Sequence, residues 1–297
     1  METSELLKKV RKIEIKTKGL SNQIFSGEYH SAFKGRGMTF SEVREYQIGD
    51  DIRAIDWNVT ARFSSPYVKV FEEERELTVM LLVDVSASKE FGSTMQFKQE
   101  LATELSAVLA FSAIQNNDKI GIIFFSDQIE KFIPPKKGKG HILRIIRELL
   151  NIEPQSRKTD VSNALKYFTN VIKKKSIAFL ISDFLDPNYC LDNSAGEEAL
   201  KIANKKHDVV ALRLYDRREV KLPSVGLVKM KDAETGQFKW IDTSSRKVRN
   251  YYDQWNRVND ANLSKIFKRC GVDYTQIRTD ESYVKPLMNL FKRREGR

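Results

Sequence analysis

The sequence predicts an α/β fold: a doubly wound, mostly parallel sheet with one antiparallel edge strand, joined to a small β-rich N-terminal subdomain. Three observations carry this expectation. From about residue 77, short apolar runs ("LTVMLLV", "KIGIIFF", "SIAFLI", "DVVALRLY" and "VDYTQIR") recur with helical periodicity between them, the pattern of strands covered by helices on both faces. The segment "QIEKFIPP" follows the second run too closely for a crossover, so it reads as an antiparallel edge strand closed off by Pro134 and Pro135. Residues 1–76 show neither pattern.

That leading stretch begins with a short amphipathic helix carrying Leu6, Val10 and Ile13, passes through Gly-rich and charge-rich segments, and ends in an alternating "PYVKVFEEERE". It is assigned to a β-rich subdomain over 1–76, and residues 77–297 to the main domain. The first main-domain helix falls near 94–115, with Phe97, Leu101, Leu105 and Val108 along one face. Others fall near 139–150, 160–173, 196–205, 247–269 and 281–294. Residues 216–245 alternate around "DAETGQ" and predict a β-hairpin inserted after the strand "DVVALRLY". No internal repeat or low-complexity tract is present.

A chain of 297 residues with 41% hydrophobic and 10% aromatic content can bury a sizeable core and is not of the disordered class. Cys190 and Cys270 are far apart with no Cys-x-x-Cys spacing, which argues against a disulfide framework and for a reducing compartment. Neither a signal-peptide core nor a run of ~18 uncharged apolar residues occurs, so the expected location is cytoplasmic, with peripheral membrane contact left open. The net charge of +11 concentrates at the C-terminus: residues 1–76 hold 13 Lys/Arg and 13 Asp/Glu, whereas 246–297 hold 13 against 6.

The apolar run at 78–83 stops on Asp84, followed by Ser86 and Ser88. In a parallel sheet, functional polar residues gather where strands surface at their C-terminal ends. An Asp-x-Ser-x-Ser turn there offers hard oxygen ligands suited to Mg²⁺ or Ca²⁺; it could equally be a turn that begins the next helix. The fourth strand ends "FLISDF", so Asp183 emerges as Asp84 does, and the first and fourth strands of a doubly wound sheet are neighbours at its switch point. The helix starting at "KTDVSNAL" brings Thr159 to the same edge, where Thr159 or Asp160 could also serve as a plain N-cap.

Asp84, Ser86, Ser88, Thr159 and Asp183, in this order on this sheet, resemble the metal-ion-dependent adhesion site of von Willebrand factor A domains, a Rossmann-type fold. The resemblance implies a bound divalent ion, Mg²⁺ with Mn²⁺ or Ca²⁺ as alternatives, approached directly by the two serines and the threonine and partly through water by the aspartates. One coordination position is left for a partner's carboxylate. Upstream, "GRGMTFSEVREYQIGDDIRAIDWNVTARFSSPYVKVFEEERE", and downstream, "YDRREVKLPSVGLVKMKDAETGQF", are similar to the bacterial domain of unknown function numbered fifty-eight, with coverage from about Gly27 to Phe291. That resemblance implies a von Willebrand A-like domain acting as an adaptor or chaperone-like partner of a MoxR-type AAA+ ATPase, or of its client protein. Lys89 departs from the family pattern, which has Met after the second serine, and an ammonium beside the ion weakens its binding.

In "EYQIGDDIRAIDWNVTAR" the charges of Arg44, Asp50, Asp51, Arg53, Asp56 and Arg62 alternate in sign around Ile52, Ile55 and Trp57. One reading is a salt-bridged turn anchored by Trp57 against the main domain. The other is a partner-docking surface of Arg44, Asp50, Arg53, Asp56 and Trp57, since Arg and Trp commonly carry binding energy.

Enzyme chemistry finds little footing. A nucleophilic Asp84 lacks the second acid of Asp-x-Asp phosphotransferases, because Ser86 stands there. No Gly-x-Ser-x-Gly elbow occurs, "KKGKGHI" lacks a P-loop's leading glycine, and His30, His141 and His207 are scattered. Tyr283, Leu287, Leu290 and Phe291 form a core-facing stripe in the last helix, and Lys292 to Arg294 complement its dipole, so no specific nucleic-acid partner is expected. The expectation is a non-enzymatic, metal-dependent interaction module. The alternatives are a metal-dependent hydrolase, for which Asp160 or Asp186 would have to be the base, and a scaffold with a vestigial ion site.

Overall fold

The structure, a computed structural model, describes residues 39–63, 65–72, 77–86, 98–186, 195–231 and 237–295. The expected leading helix with Leu6, Val10 and Ile13, and also Ser88, Lys89, Phe97 and Cys190, lie outside these. The chain divides into two compact units, one over residues 33–77 and one containing the described residues from Thr78 onward.

In the smaller unit β1 (Thr39–Glu45) pairs antiparallel with β2 (Tyr67–Glu72), with a bulge between Phe40 and Glu42. A 3-10 turn (Ile52–Ala54) and α1 (Trp57–Phe63) connect them. Asp56 starts α1 by accepting the free N–H groups of Asn58 (3.0 Å) and Val59 (3.3 Å), the role of a short acidic N-cap.

The larger unit runs β3 (Thr78–Asp84), α2 (Lys98–Gln115), β4 (Lys119–Phe125), β5 (Ile129–Lys136), α3 (Lys139–Asn151), α4 (Val161–Val171), β6 (Ile177–Ser182), α5 (Ala195–Lys206) and β7 (Asp208–Tyr215). It continues with α6 (Arg217–Val220), β8 (Leu227–Lys231), β9 (Phe238–Asp242), α7 (Arg246–Cys270), β10 (Asp273–Arg278) and α8 (Val284–Glu295). Its six-stranded sheet has the order β10-β7-β6-β3-β4-β5. All pairs are parallel except β4 with β5. The winding reverses between β3 and β6, the doubly wound arrangement of a von Willebrand factor A-like domain, and ligand crevices open at such a reversal.

Alternate residues of each strand point to opposite faces. Met80, Leu82, Ala178, Leu180, Val209 and Ala211 pack with α4, α5 and α7 in one core cluster, while Phe179 points the other way, edge-on to Phe291 of α8. The stripe expected in the last helix is buried as Tyr283, Leu287, Leu290 and Phe291. Leu101, Leu105 and Val108 of α2 are buried as well.

Two local expectations need correction. The edge strand does not close at Pro134 and Pro135 but continues to Lys136. The ladder shifts register there, between the Ile120–Lys136 and Ile122–Ile133 pairs, and a bulge on an edge strand needs no N–H from proline. Gly121 faces that bulge: a Cβ at this position would sit 2.8 Å from both Ile133 O and Pro135 N. The inserted hairpin is β8 and β9, narrower than the alternation over 216–245. Residues 217–220 form a helical turn instead, because Asp216 and Glu219 make a reciprocal capping box.

Candidate functional site

The strands that flank the reversal deliver their polar ends to one place. Asp84 is the last residue of β3, and its Oδ1 accepts the N–H of Ser86 at 3.0 Å, a tight turn that buries Ser86. Its Oδ2 accepts the hydroxyl of Ser182, the last residue of β6, at 2.7 Å. Asp183 follows: its Oδ1 accepts the Leu185 N–H at 3.2 Å and its Oδ2 receives the Lys98 ammonium at 2.9 Å. Phe184 then turns the chain with a φ of 55°, a left-handed conformation held by its N–H bond to Ser182 Oγ and by burial of its ring.

Lys98 is the first described residue of α2, and its side chain is only 4% exposed. Besides Asp183 it pairs with Glu219. Glu219 is fixed in turn, because its other oxygen accepts the Asp216 N–H at 3.0 Å. Asp216, directly after β7, also receives the Thr279 hydroxyl at 2.7 Å. A cavity of about 20 Å³ opens among Asp84, Lys98, Ser182 and Asp183, with Ala102, Ile181 and Leu214 as its apolar wall. That is room for one water or one small ion.

Burial, followed by the charge of Asp183, pushes the Asp84 carboxyl up to about 6, against the opposing hydrogen bonds from Ser182 and Ser86. For Lys98 burial works to lower the pKa, but the charges of Asp183 and Glu219 outweigh it and the ammonium is held above its ordinary value. Burial raises Glu219, against the pull of Lys98.

Of the five residues expected to gather here, Asp84, Ser86 and Asp183 are brought to one crevice. Ser88 lies outside the described residues. Thr159 sits half-buried just before α4, and the start of that helix is pinned on both sides of β3: the Asp160 N–H bonds Ser126 O after β4 (3.0 Å), and the Val161 N–H bonds Asp186 Oδ2 after β6 (3.2 Å). The N-cap is Asp160, accepting the Asn163 N–H at 2.9 Å, so the cap role does not fall to Thr159. Asp160 and Asp186, the two candidate bases of a hydrolase, are therefore both bonded into the first turn of α4.

The fit of a metal ion rests on the donors. Asp84 and Ser86 supply hard oxygens, the neighbouring Asp183 adds a second carboxylate, and the cavity is of ion size. These features fit a divalent cation. Among the described residues no group of three or more His, Cys, Asp or Glu side chains could hold a metal ion. The positive charge found beside Asp183 is that of Lys98.

Sequence reasoning missed Lys98, Ser182, Glu219 and Asp216. One signal was available: the Asp-x-x-Glu of "DRRE" is a capping box.

In the smaller unit, the guanidinium of Arg44 grips Asp50 with two bonds of 2.8 and 2.7 Å. Asp51 caps the 3-10 turn through the Arg53 N–H, and Asp56 adds an ion pair with Lys69 at 3.4 Å to its capping role. The salt-bridged turn is there, and Trp57, 68% exposed, is the first residue of a seven-residue helix with no buried residue.

Among the described residues no helix is long and apolar enough to cross a membrane. The chain is 27% identical over 299 residues to an uncharacterized protein of Mycobacterium tuberculosis, a match that covers all of this chain and 92% of the relative. Its fold is similar to that of the conserved hypothetical protein BatB from Bacteroides thetaiotaomicron, with a TM-score of 0.50 and 17% identity over 74% of this chain and all of that one. A von Willebrand factor type A structure from Catenulispora acidiphila aligns with a TM-score of 0.47 and 10% identity, over 77% of this chain and 44% of that one. The family model described as "Protein of unknown function DUF58" matches residues 42–262, most of the chain and both of its compact units, and the chain belongs to this family.

Proposed function

We propose that this protein is a non-enzymatic interaction module that captures an acidic residue of another protein through a divalent ion, Mg²⁺ in the first instance, at the C-terminal edge of its main sheet. Asp84, Ser86, Ser88, Thr159 and Asp183 would hold the ion. The observation that carries this reading is the convergence of Asp84 and Asp183 on one ion-sized cavity at the reversal of the sheet. A divalent cation with few directly bound carboxylates keeps enough electrophilic character to recruit an Asp or Glu from a partner. The chain's own residues prepare the site: the Ser182 hydroxyl and the Ser86 N–H orient the two oxygens of Asp84. The apolar wall thins the water around both carboxylates.

The family resemblance names the partner class as a MoxR-type AAA+ ATPase or its client. The interaction reading is favoured over a hydrolase because Asp160 and Asp186 are committed to the start of α4.

Thermal unfolding of the wild type and of Asp84→Ala, in chelator and across a Mg²⁺ titration, tests the ion. Stabilisation of the wild type alone is expected, about 2.7 kcal/mol at 100 times the dissociation constant. No response from either protein overturns the proposal.

A further inference from the structure

We infer that Lys98 is a tethered cation competing with a divalent ion for Asp183, so that loading of the site requires its ammonium to release Asp183 and keep Glu219 alone. The inference rests on the reading that Asp84 and Asp183 hold an ion.

Three features of the site support it. The ammonium holds Asp183 Oδ2 at 2.9 Å, and one carboxylate oxygen cannot serve both an ammonium and an ion at full strength. The Lys98 side chain is 4% exposed, so little water or salt screens its charge from a cation placed a few ångströms away. Finally, its second partner lies on a different loop. Glu219 is held by its capping bond to the Asp216 N–H and already pairs with the ammonium, and the flexible four-carbon stem lets Lys98 release Asp183 while keeping Glu219, without moving α2.

Two carboxylates, Asp183 and Glu219, hold the one ammonium, and Asp84 lines the same cavity. Lys98 therefore tunes the affinity rather than closing the site. It also confers selection: a cation must outbid an ammonium already in place, which favours small doubly charged ions over monovalent ones.

The test is the dissociation constant of Mg²⁺ for the full chain, by calorimetry at fixed pH and ionic strength, for the wild type, Lys98→Met and Glu219→Gln. Met keeps the length of the side chain without its charge, and Gln keeps an oxygen for the capping bond. Lys98→Met is expected to bind Mg²⁺ at least about ten times more tightly, because a like charge is removed. Glu219→Gln is expected to bind several-fold more weakly, because the ammonium is left with Asp183. A purely structural role for this ion pair would shift both variants toward weaker binding. If the wild type binds Mg²⁺ and Lys98→Met binds no more tightly, the competition is overturned while the ion reading stands. If neither binds, the ion reading falls and takes the inference with it. Should Lys98→Met fail to fold by circular dichroism, Lys98→Gln, which removes the charge but keeps a hydrogen-bond donor for Asp183, decides: tighter binding supports the competition, and equal or weaker binding overturns it.

Discussion

Lys98 with Asp183 and Arg44 with Asp50 are the same chemistry in two environments. Both pairs are close, at 2.9 and 2.7 Å. In the first, each side chain is 4% exposed, and desolvation and charge together move the pKa values of Asp84, Lys98 and Glu219. In the second, the side chains are 39% and 21% exposed, and the Asp50 carboxyl is held below its ordinary value, first by its hydrogen bonds with Arg44. Distance alone therefore says little about what an ion pair does. Water decides whether it is a structural commitment or a surface ornament.

The largest effect that would sharpen this contrast is the loss of the Lys98 charge. Lys98→Met leaves the buried Asp183 and the half-buried Glu219 without their shared cation and is expected to cost about 3–5 kcal/mol, measured by urea denaturation at pH 7 in chelator. A cost near zero would erase the distinction between the two regions.

Next in size is the pH dependence of Asp84. Its folded value of about 6 stands above the ordinary 3.8, so between these values the folded protein keeps a proton that the unfolded chain has released. The favourable contribution is complete below pH 3.8 and is lost as pH rises through 6, a swing of about 3 kcal/mol. Asp84→Asn, which cannot ionise, should therefore gain stability relative to the wild type between pH 4 and pH 8 in chelator. A difference that stays flat across that range would show that Asp84 is not strained by its surroundings.

The smallest expected effect lies on the other side of the comparison. Arg44→Ala should leave the denaturation midpoint within the reproducibility of the measurement in physiological salt, because a solvated pair is screened and its partners rehydrate when it is broken. A large loss would place Arg44 and Asp50 with the buried network after all.

Much of this was legible before any fold was drawn. The strands carrying Asp84 and Asp183 announce themselves by unbroken apolar runs, and a parallel sheet with crossovers puts both ends on one edge. The charged character of residues 44–62 was equally plain, and so was the core-facing stripe of Tyr283, Leu287, Leu290 and Phe291. The exposure of Trp57 was not, since a lone tryptophan among charges is compatible with an anchor or a solvated side chain. Nor was the choice of Asp160 over Thr159 as the cap of α4, which depends on a backbone rotation that either residue type permits.

What the amino-acid order determined by itself was the set of strands and helices and the edge to which two aspartates are delivered, because the repeat of a helix or a strand is written in neighbouring residues. What only the tertiary structure decided was the company those aspartates keep. Lys98 reaches Asp183 across 85 positions of sequence, and Ser182 reaches Asp84 across 98, with no local pattern to announce either bond. Burial belongs to the packed molecule rather than to any segment of it, and burial is what turns these side chains from solvated charges into a coupled site.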